Sequence, residues 1–263
     1  VAAPSVTRQS MARLTGNAPP GPDKGHVEGM FNQPYAIPNY RVSGHLAELS
    51  VPIGFWRSVG NSFNGFFMES FVDEMAIAAG RDPLAFRLDL AEREHGPSAA
   101  VLRRVAEMSA WTAPRAPGTG KGVAMTHSFH TPVAVVVEVA DRGGDIALTR
   151  AWIACDVGRA LDPAIIEAQM VGGLVYGLSA AMMEEISFAG GEVQQGNYTD
   201  YDALRMSQMP EVSVSILESS GHIGGVGEPA TPPAAPALAN AIYDLRGERI
   251  RDLPLNRRVR FVA

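Results

Sequence analysis

The sequence predicts an α+β fold, and three observations carry that prediction. Runs such as TPVAVVVEVA and IALTRAWIAC are rich in β-branched residues and read as strands. Other stretches open on Asp-Pro, an N-cap followed by a first helical residue, and read as helices. The two kinds mix without a regular βαβ period, and no internal repeat is present.

The chain opens on Val1 with no signal-like segment, so it is expected to be a processed product or a piece of something longer. Residues 1–34 read as an N-terminal arm and connector, with the Pro/Gly-rich GNAPPGPDKGH at 16–26. Alternation around Tyr40, Val42 and Leu46 predicts a strand. The turn-rich VPIGFWRSVGNS then feeds a helix from about Ser62 to Ala79, stopped by Gly80. Asp82-Pro83 starts a second helix to about Glu94, and a third runs near Ser98 to Ala110. Residues 35–112 are thus expected to form a helical segment.

APRAPGTG at 113–120 reads as a linker, and residues 113–263 as an α+β domain. Its two β-rich runs form a hairpin turning on DRGGD. Asp162-Pro163 caps a long helix to about Glu185, in which Gly172, Gly173 and Gly177 are expected to allow close packing. A short hairpin on AGGE, a strand EVSVSILES, a glycine loop and a helix from about Ala234 to Leu245 complete the pass.

Composition narrows the function. Of 263 residues, 46% are hydrophobic and 19% charged, which excludes a disordered chain. A net charge of −6 without a basic run argues against a nucleic-acid partner. No apolar run reads as long enough to cross a bilayer. The single cysteine, Cys155, cannot close an internal disulfide and reads as structural.

Two loops could carry chemistry. GGVGEPATPP presents one carboxylate, Glu228, on bare backbone and then fixes the chain with prolines. Glycine lets main-chain N–H groups approach a ligand, although such loops before helices are common. A dinucleotide loop fits poorly, because Pro229, Pro232 and Pro233 delay the helix. GFWRSVGNS brings Phe55, Trp56 and Arg57 together before a helix; alternatively Trp56 is core and Arg57 pairs with a surface acid. His127 and His130 are three apart on a predicted strand and so face opposite sides, a poor metal chelate.

Four blocks, GFWRSVGNSFNGFFMESFVDEMAIAAGRDPLAFRLDL, CDVGRALDPAIIEAQMVGGLVYGLSAAMMEE, QQGNYTDYDALRMSQMPEV and GGVGEPATPPAAPALANAIYDLRGERIRDLPL, resemble the molybdenum hydroxylases of the xanthine oxidase superfamily. The likeness runs over residues 35–258 in the family's order, nearest to the large subunits of isoquinoline 1-oxidoreductase and related aldehyde dehydrogenases.

The resemblance implies the C-terminal portion of the molybdopterin-binding domains. It also implies a molybdopterin cytosine dinucleotide cofactor shared with another chain, with no protein ligand to the metal. Glu228 matches the base that takes a proton from the metal-bound hydroxyl in oxidation of an N-heteroaromatic compound or aldehyde, with water as oxygen source. Gly225, Val226 and Gly227, with Arg57 and Ser58, match cofactor-binding positions; Trp56 and Phe55 match the substrate pocket. The implied partners are a chain carrying the N-terminal half of the large subunit and a separate subunit holding [2Fe-2S] clusters, since one cysteine cannot ligate a cluster. No membrane span is implied, and the compartment stays open between cytoplasm and periplasm. The alternative is a non-catalytic fragment or assembly partner that keeps the fold without the cofactor.

Overall fold

A computed structural model describes residues 14–15, 24–45, 49, 51 and 54–263. Most of the expected N-terminal arm, most of the 16–26 connector and Leu46 lie outside the described residues. A single helical turn, α1 (Lys24–Val27), precedes α2 (Gly60–Ala78), α3 (Pro83–Glu94) and α4 (Gly96–Met108). Then come β1 (Thr119–Ser128), β2 (Thr131–Arg142) and β3 (Asp145–Asp156). The rest is α5 (Pro163–Met182), β4 (Phe188–Ala189), β5 (Glu192–Val193), β6 (Glu211–Leu217), α6 (Ala234–Arg246) and β7 (Phe261–Val262).

The sheet runs β1-β2-β3-β6. Its first three strands are antiparallel, whereas β6 and β7 both pair parallel to β3. The DRGGD turn closes β2 on β3 as expected, with Gly143 and Gly144 at positive φ. Asp82 and Asp162 cap α3 and α5 as the sequence predicts, accepting from Ala85 N and Ile165 N.

The strand β2 is buried on both faces, which is why its sequence is a near-continuous apolar run. Val133, Val135, Val137 and Val139 pack with α5 and α6. Ala134 and Val136 pack with Trp152 and the α3 and α4 leucines and valines on the opposite side. The result is a sheet between two helical layers.

Three expectations need correction. No strand forms over 35–45: Asn39 takes a φ of 57°, and Pro38 beside it has no N–H to give a ladder. Of the stretch read as a linker, 113–120, only the last two residues, Thr119 and Gly120, belong to β1, and 113–118 are loop and turn. A Cβ on Gly122 would lie 2.1 Å from Ala241 N, so α6 crosses this strand where only glycine fits and the composition looks loop-like. His127 is the last residue but one of β1, and His130 lies in the β1–β2 turn, so the two are not on one strand.

The helix α5 has 20 residues and is long and apolar enough to cross a membrane by length and composition, contrary to the reading of the sequence. Here it is a core helix, contributing Met170, Leu174 and Leu178. Gly177 sits where a Cβ would lie 2.7 Å from Ala234 Cβ, and Gly173 is also close to its neighbours, whereas Gly172 faces open space.

A buried ionic network ties α2 to α3, β1 and the C-terminal segment. The Glu69 carboxylate accepts from Tyr35 Oη at 2.9 Å, Arg87 Nε at 2.8 Å and Met125 N at 2.9 Å. Arg87 and Arg249 both donate to Asp73. These buried polar groups interrupt the apolar face of α2 while setting its place over the sheet.

Candidate active site

The structure brings the two sequence-predicted loops together. The glycine loop, 224–228, is held at its start by Gly224 N donating to Val157 O at 3.1 Å and Gly225 N to Phe129 O at 2.8 Å. Its end is held by the segment before α2. Ser58 N donates to Glu228 Oε1 at 3.0 Å, and Ser58 Oγ donates to the Glu228 main-chain carbonyl at 2.7 Å. Arg57 donates to the Gly227 carbonyl and, at 3.3 Å, to Gln169 Oε1.

Glu228 therefore stands just ahead of the N-terminus of α2, where negative charge is favoured. Arg57 pairs with a carbonyl and not with a surface acid, and Trp56 is 41% exposed and so is no core residue. Val226 packs against the core, while Gly225 and Gly227 are exposed.

Local backbone strain concentrates here. Six non-glycine residues among those described have positive φ, and four of them lie in the two segments that hold this loop: Ser58 and Phe129, which bond to it, and their neighbours Val59 and His130. Val59 is β-branched and sits at φ 50°, ψ −132°, a genuine outlier. Such conformations persist only where surrounding contacts over-determine them, and they cluster at functional sites.

An apolar cavity of about 380 Å³ lies beside these residues, lined by Phe55, Trp56, Phe63, Ala181, Thr231 and Leu253 among others. Thr231 is three positions past Glu228, whose own side chain does not line the cavity. Sequence reasoning missed Gln169, Tyr176 and Phe129. The Tyr176 ring lies 5.0 Å from Trp56 and 5.4 Å from the Arg57 guanidinium. Both Gln169 and Tyr176 come from α5, and their roughly two-turn separation put them on the Arg57 side; no local motif marked them.

Burial or hydrogen bonds shift three titratable groups of the sheet. Burial first, then repulsion from His95 and His130, pushes His127 down to about 4. Burial pushes the Cys155 thiol up to about 12, in keeping with a structural cysteine. Burial alone would raise Asp156, but hydrogen bonds from Ser219, Ser220 and Gly158 outweigh it and hold the carboxyl below its usual range. Four buried hydroxyls, on Ser70, Thr126, Ser128 and Thr131, have no hydrogen-bond partner among the described residues.

Comparisons with known proteins match this architecture. A family profile described as "Molybdopterin cofactor-binding domain" covers residues 86–210. The beta chain of isoquinoline 1-oxidoreductase from Brevundimonas diminuta is 37% identical over 227 residues, covering 84% of this chain and 29% of that one. A nicotinate dehydrogenase chain from Pseudomonas putida is 32% identical over 243 residues, covering 84% and 20%. The chain thus spans less than a third of the length of these curated relatives. Among solved structures, the aldehyde oxidoreductase from Desulfovibrio desulfuricans superposes with a TM-score of 0.64 over 76% of this chain and 40% of that one. At 12% identity that likeness speaks to the fold alone.

Proposed function

This chain belongs to the molybdenum hydroxylases of the xanthine oxidase family, and from that premise we propose that it contributes the catalytic carboxylate of a molybdenum-dependent oxidoreductase. The substrate is an N-heteroaromatic compound or an aldehyde, and water is the source of oxygen. One observation carries the reading: Glu228 is fixed through both its side chain and its main chain by Ser58, on a glycine loop left bare.

The residues present fit a large planar cofactor. Gly225 and Gly227 are exposed, and nothing lies nearer a Cβ on Gly227 than Gln169 Oε1 at 3.9 Å. Two unpartnered hydroxyls, Ser128 and Thr131, flank the turn beneath the loop. The molybdopterin cofactor, in its cytosine dinucleotide form, would supply two-electron redox chemistry when bound. Gly225, Val226, Gly227, Arg57 and Ser58 would hold it together with a second polypeptide carrying the rest of the pocket. A separate subunit with [2Fe-2S] clusters would carry electrons away.

Glu228 acts as the base. Its Oε1 is occupied by the Ser58 N–H, so Oε2 is the atom that takes the proton. Arg57 holds the Gly227 carbonyl and so limits rotation of the peptide that aims the acid. Phe55 and Trp56 form an apolar wall that excludes water and suits a flat substrate.

The test is Glu228→Gln in the assembled enzyme, assayed with isoquinoline and benzaldehyde. Turnover is expected to fall by about 10²–10⁴-fold with molybdenum content unchanged. Unchanged turnover removes Glu228 from the mechanism. Absence of molybdenum from the wild-type assembly favours a non-catalytic role.

A further inference from the structure

We propose that Phe129 is a positioning residue of this site, anchoring the carboxylate loop through its carbonyl and presenting its ring to a flat ligand. The inference rests on the reading of Glu228 above.

The β1–β2 connection is a two-residue turn between Ser128 and Thr131. Such turns favour Asn-Gly or similar pairs, because both central residues take positive φ. This chain places Phe129 at φ 53° and His130 at φ 62°. Phe129 is not a residue that folding alone would select there, whereas histidine is among the residues found more often at positive φ. The ring does not repay that strain by burial, since Phe129 is 39% exposed.

What the turn does touch is the glycine loop. The Phe129 carbonyl accepts the Gly225 N–H at 2.8 Å. A Cβ on Gly225 would stand 3.1 Å from Phe129 Cβ and 3.9 Å from its Cγ, so ring and bare backbone adjoin. A Cβ on Gly224 would collide with Thr131 Oγ1 at 2.0 Å and His130 O at 2.8 Å. The His130 and His222 rings, one on the turn and one leading into the loop, lie 6.3 Å apart. On the far side of the loop stands the second strained pair, Ser58 and Val59. The carboxylate loop is therefore gripped at both ends by backbone that local preference disfavours.

The turn's two flanking hydroxyls add an independent sign. Ser128 and Thr131 are buried and lack partners among the described residues, though Thr131 lies against the loop. Buried hydroxyls without partners are uncommon, and a polar group arriving at this turn would satisfy them.

Two variants of the assembled enzyme separate the roles. Phe129→Leu keeps apolar bulk and the carbonyl but removes the flat ring. It is expected to raise KM for benzaldehyde about tenfold while leaving KM for acetaldehyde within about twofold, with molybdenum content and Tm unchanged. Equal KM changes for both probes would overturn the ring's role. The Phe129→Gly, His130→Gly pair frees the turn. Amide exchange at Gly225 is expected to quicken and kcat to fall about tenfold. Wild-type exchange and wild-type kcat would overturn the anchoring role. If the pair does not assemble, Phe129→Leu alone decides between flat-ring recognition and none. An inactive Glu228→Gln enzyme beside a wild-type-like Phe129→Leu enzyme sinks only this inference; a fully active Glu228→Gln enzyme sinks the reading beneath it.

Discussion

Ser58 grips Glu228 twice: its main-chain N–H donates to Oε1 at 3.0 Å and its hydroxyl to the main-chain carbonyl at 2.7 Å. Ser58 itself is buried, at φ 67°. Ser58→Ala removes the second bond and strands the carbonyl, costing about 1–3 kcal/mol of stability. Turnover is expected to fall on the order of ten- to a hundredfold, because the acid's aim loosens. Ser58→Gly loses the same hydroxyl without strain at positive φ, so its stability loss is smaller while its turnover loss matches. Urea denaturation and steady-state kinetics read both effects. Wild-type kcat in both variants would show that the hydroxyl does not aim the acid.

Arg87 is fully buried between Glu69 and Asp73, and their attraction raises its pKa against the opposing effect of burial. Removing it leaves two buried carboxylates of α2 with only Tyr35, Arg249 and a main-chain N–H to share. Arg87→Met is expected to cost about 3–5 kcal/mol. Arg251, which pairs with Glu74 at the surface, is the control: Arg251→Met is expected to cost far less, because an exposed pair is screened by solvent. Equal losses in the two variants would mean that the buried network contributes no more than a surface pair.

Much of this fold is legible because short-range chemistry decides it. Asp82 and Asp162 announce their helices through side chains that bond three residues on, and Gly143-Gly144 announces the hairpin. The acid on its glycine loop and the Trp56-Arg57-Ser58 segment were visible as motifs too. What stayed hidden depends on distant chain segments. The start of the first strand looks like the end of a linker because Gly120 answers to α6, more than a hundred residues away. Gln169 and Tyr176 look like ordinary positions of an apolar helix until Arg57 is placed against them. Phe129 follows a strand whose end is set only by its partner β2.

The fold should lose stability in mild acid through His127. Its folded value of about 4 lies below the ordinary 6.5, with burial the main cause and the neighbouring histidines adding to it. His95, stacked at 4.7 Å, is shifted in the same direction by burial. Above about pH 7 both states hold these rings neutral and nothing is lost. As pH falls from about 6.5 towards about 4, the unfolded chain takes up protons that the folded chain refuses, and stability drops. The His127 contribution is at most roughly 3 kcal/mol before solvent screening. His127→Gln should flatten this limb relative to wild type. Urea midpoints across the window check it, and parallel curves for the two proteins would rule out the histidine.

The three exposed or half-exposed glycines before Glu228 separate folding constraints from ligand constraints. A Cβ on Gly224 would lie 2.0 Å from Thr131 Oγ1 and 2.8 Å from the His130 carbonyl, and a backbone atom cannot yield that far. Gly224→Ala must therefore displace the loop, lowering Tm together with turnover. At Gly225 the nearest atom is Phe129 Cβ at 3.1 Å, a clash that a few tenths of an ångström would relieve, so an intermediate loss follows. At Gly227 the nearest atom is Gln169 Oε1 at 3.9 Å, which is ordinary contact. Nothing in the protein itself opposes a methyl group at that position. If Gly227→Ala keeps wild-type Tm yet loses molybdenum or turnover by about tenfold or more, the bare backbone exists for what sits against it. Wild-type Tm, metal content and turnover together in Gly227→Ala would instead place the ligand away from this glycine.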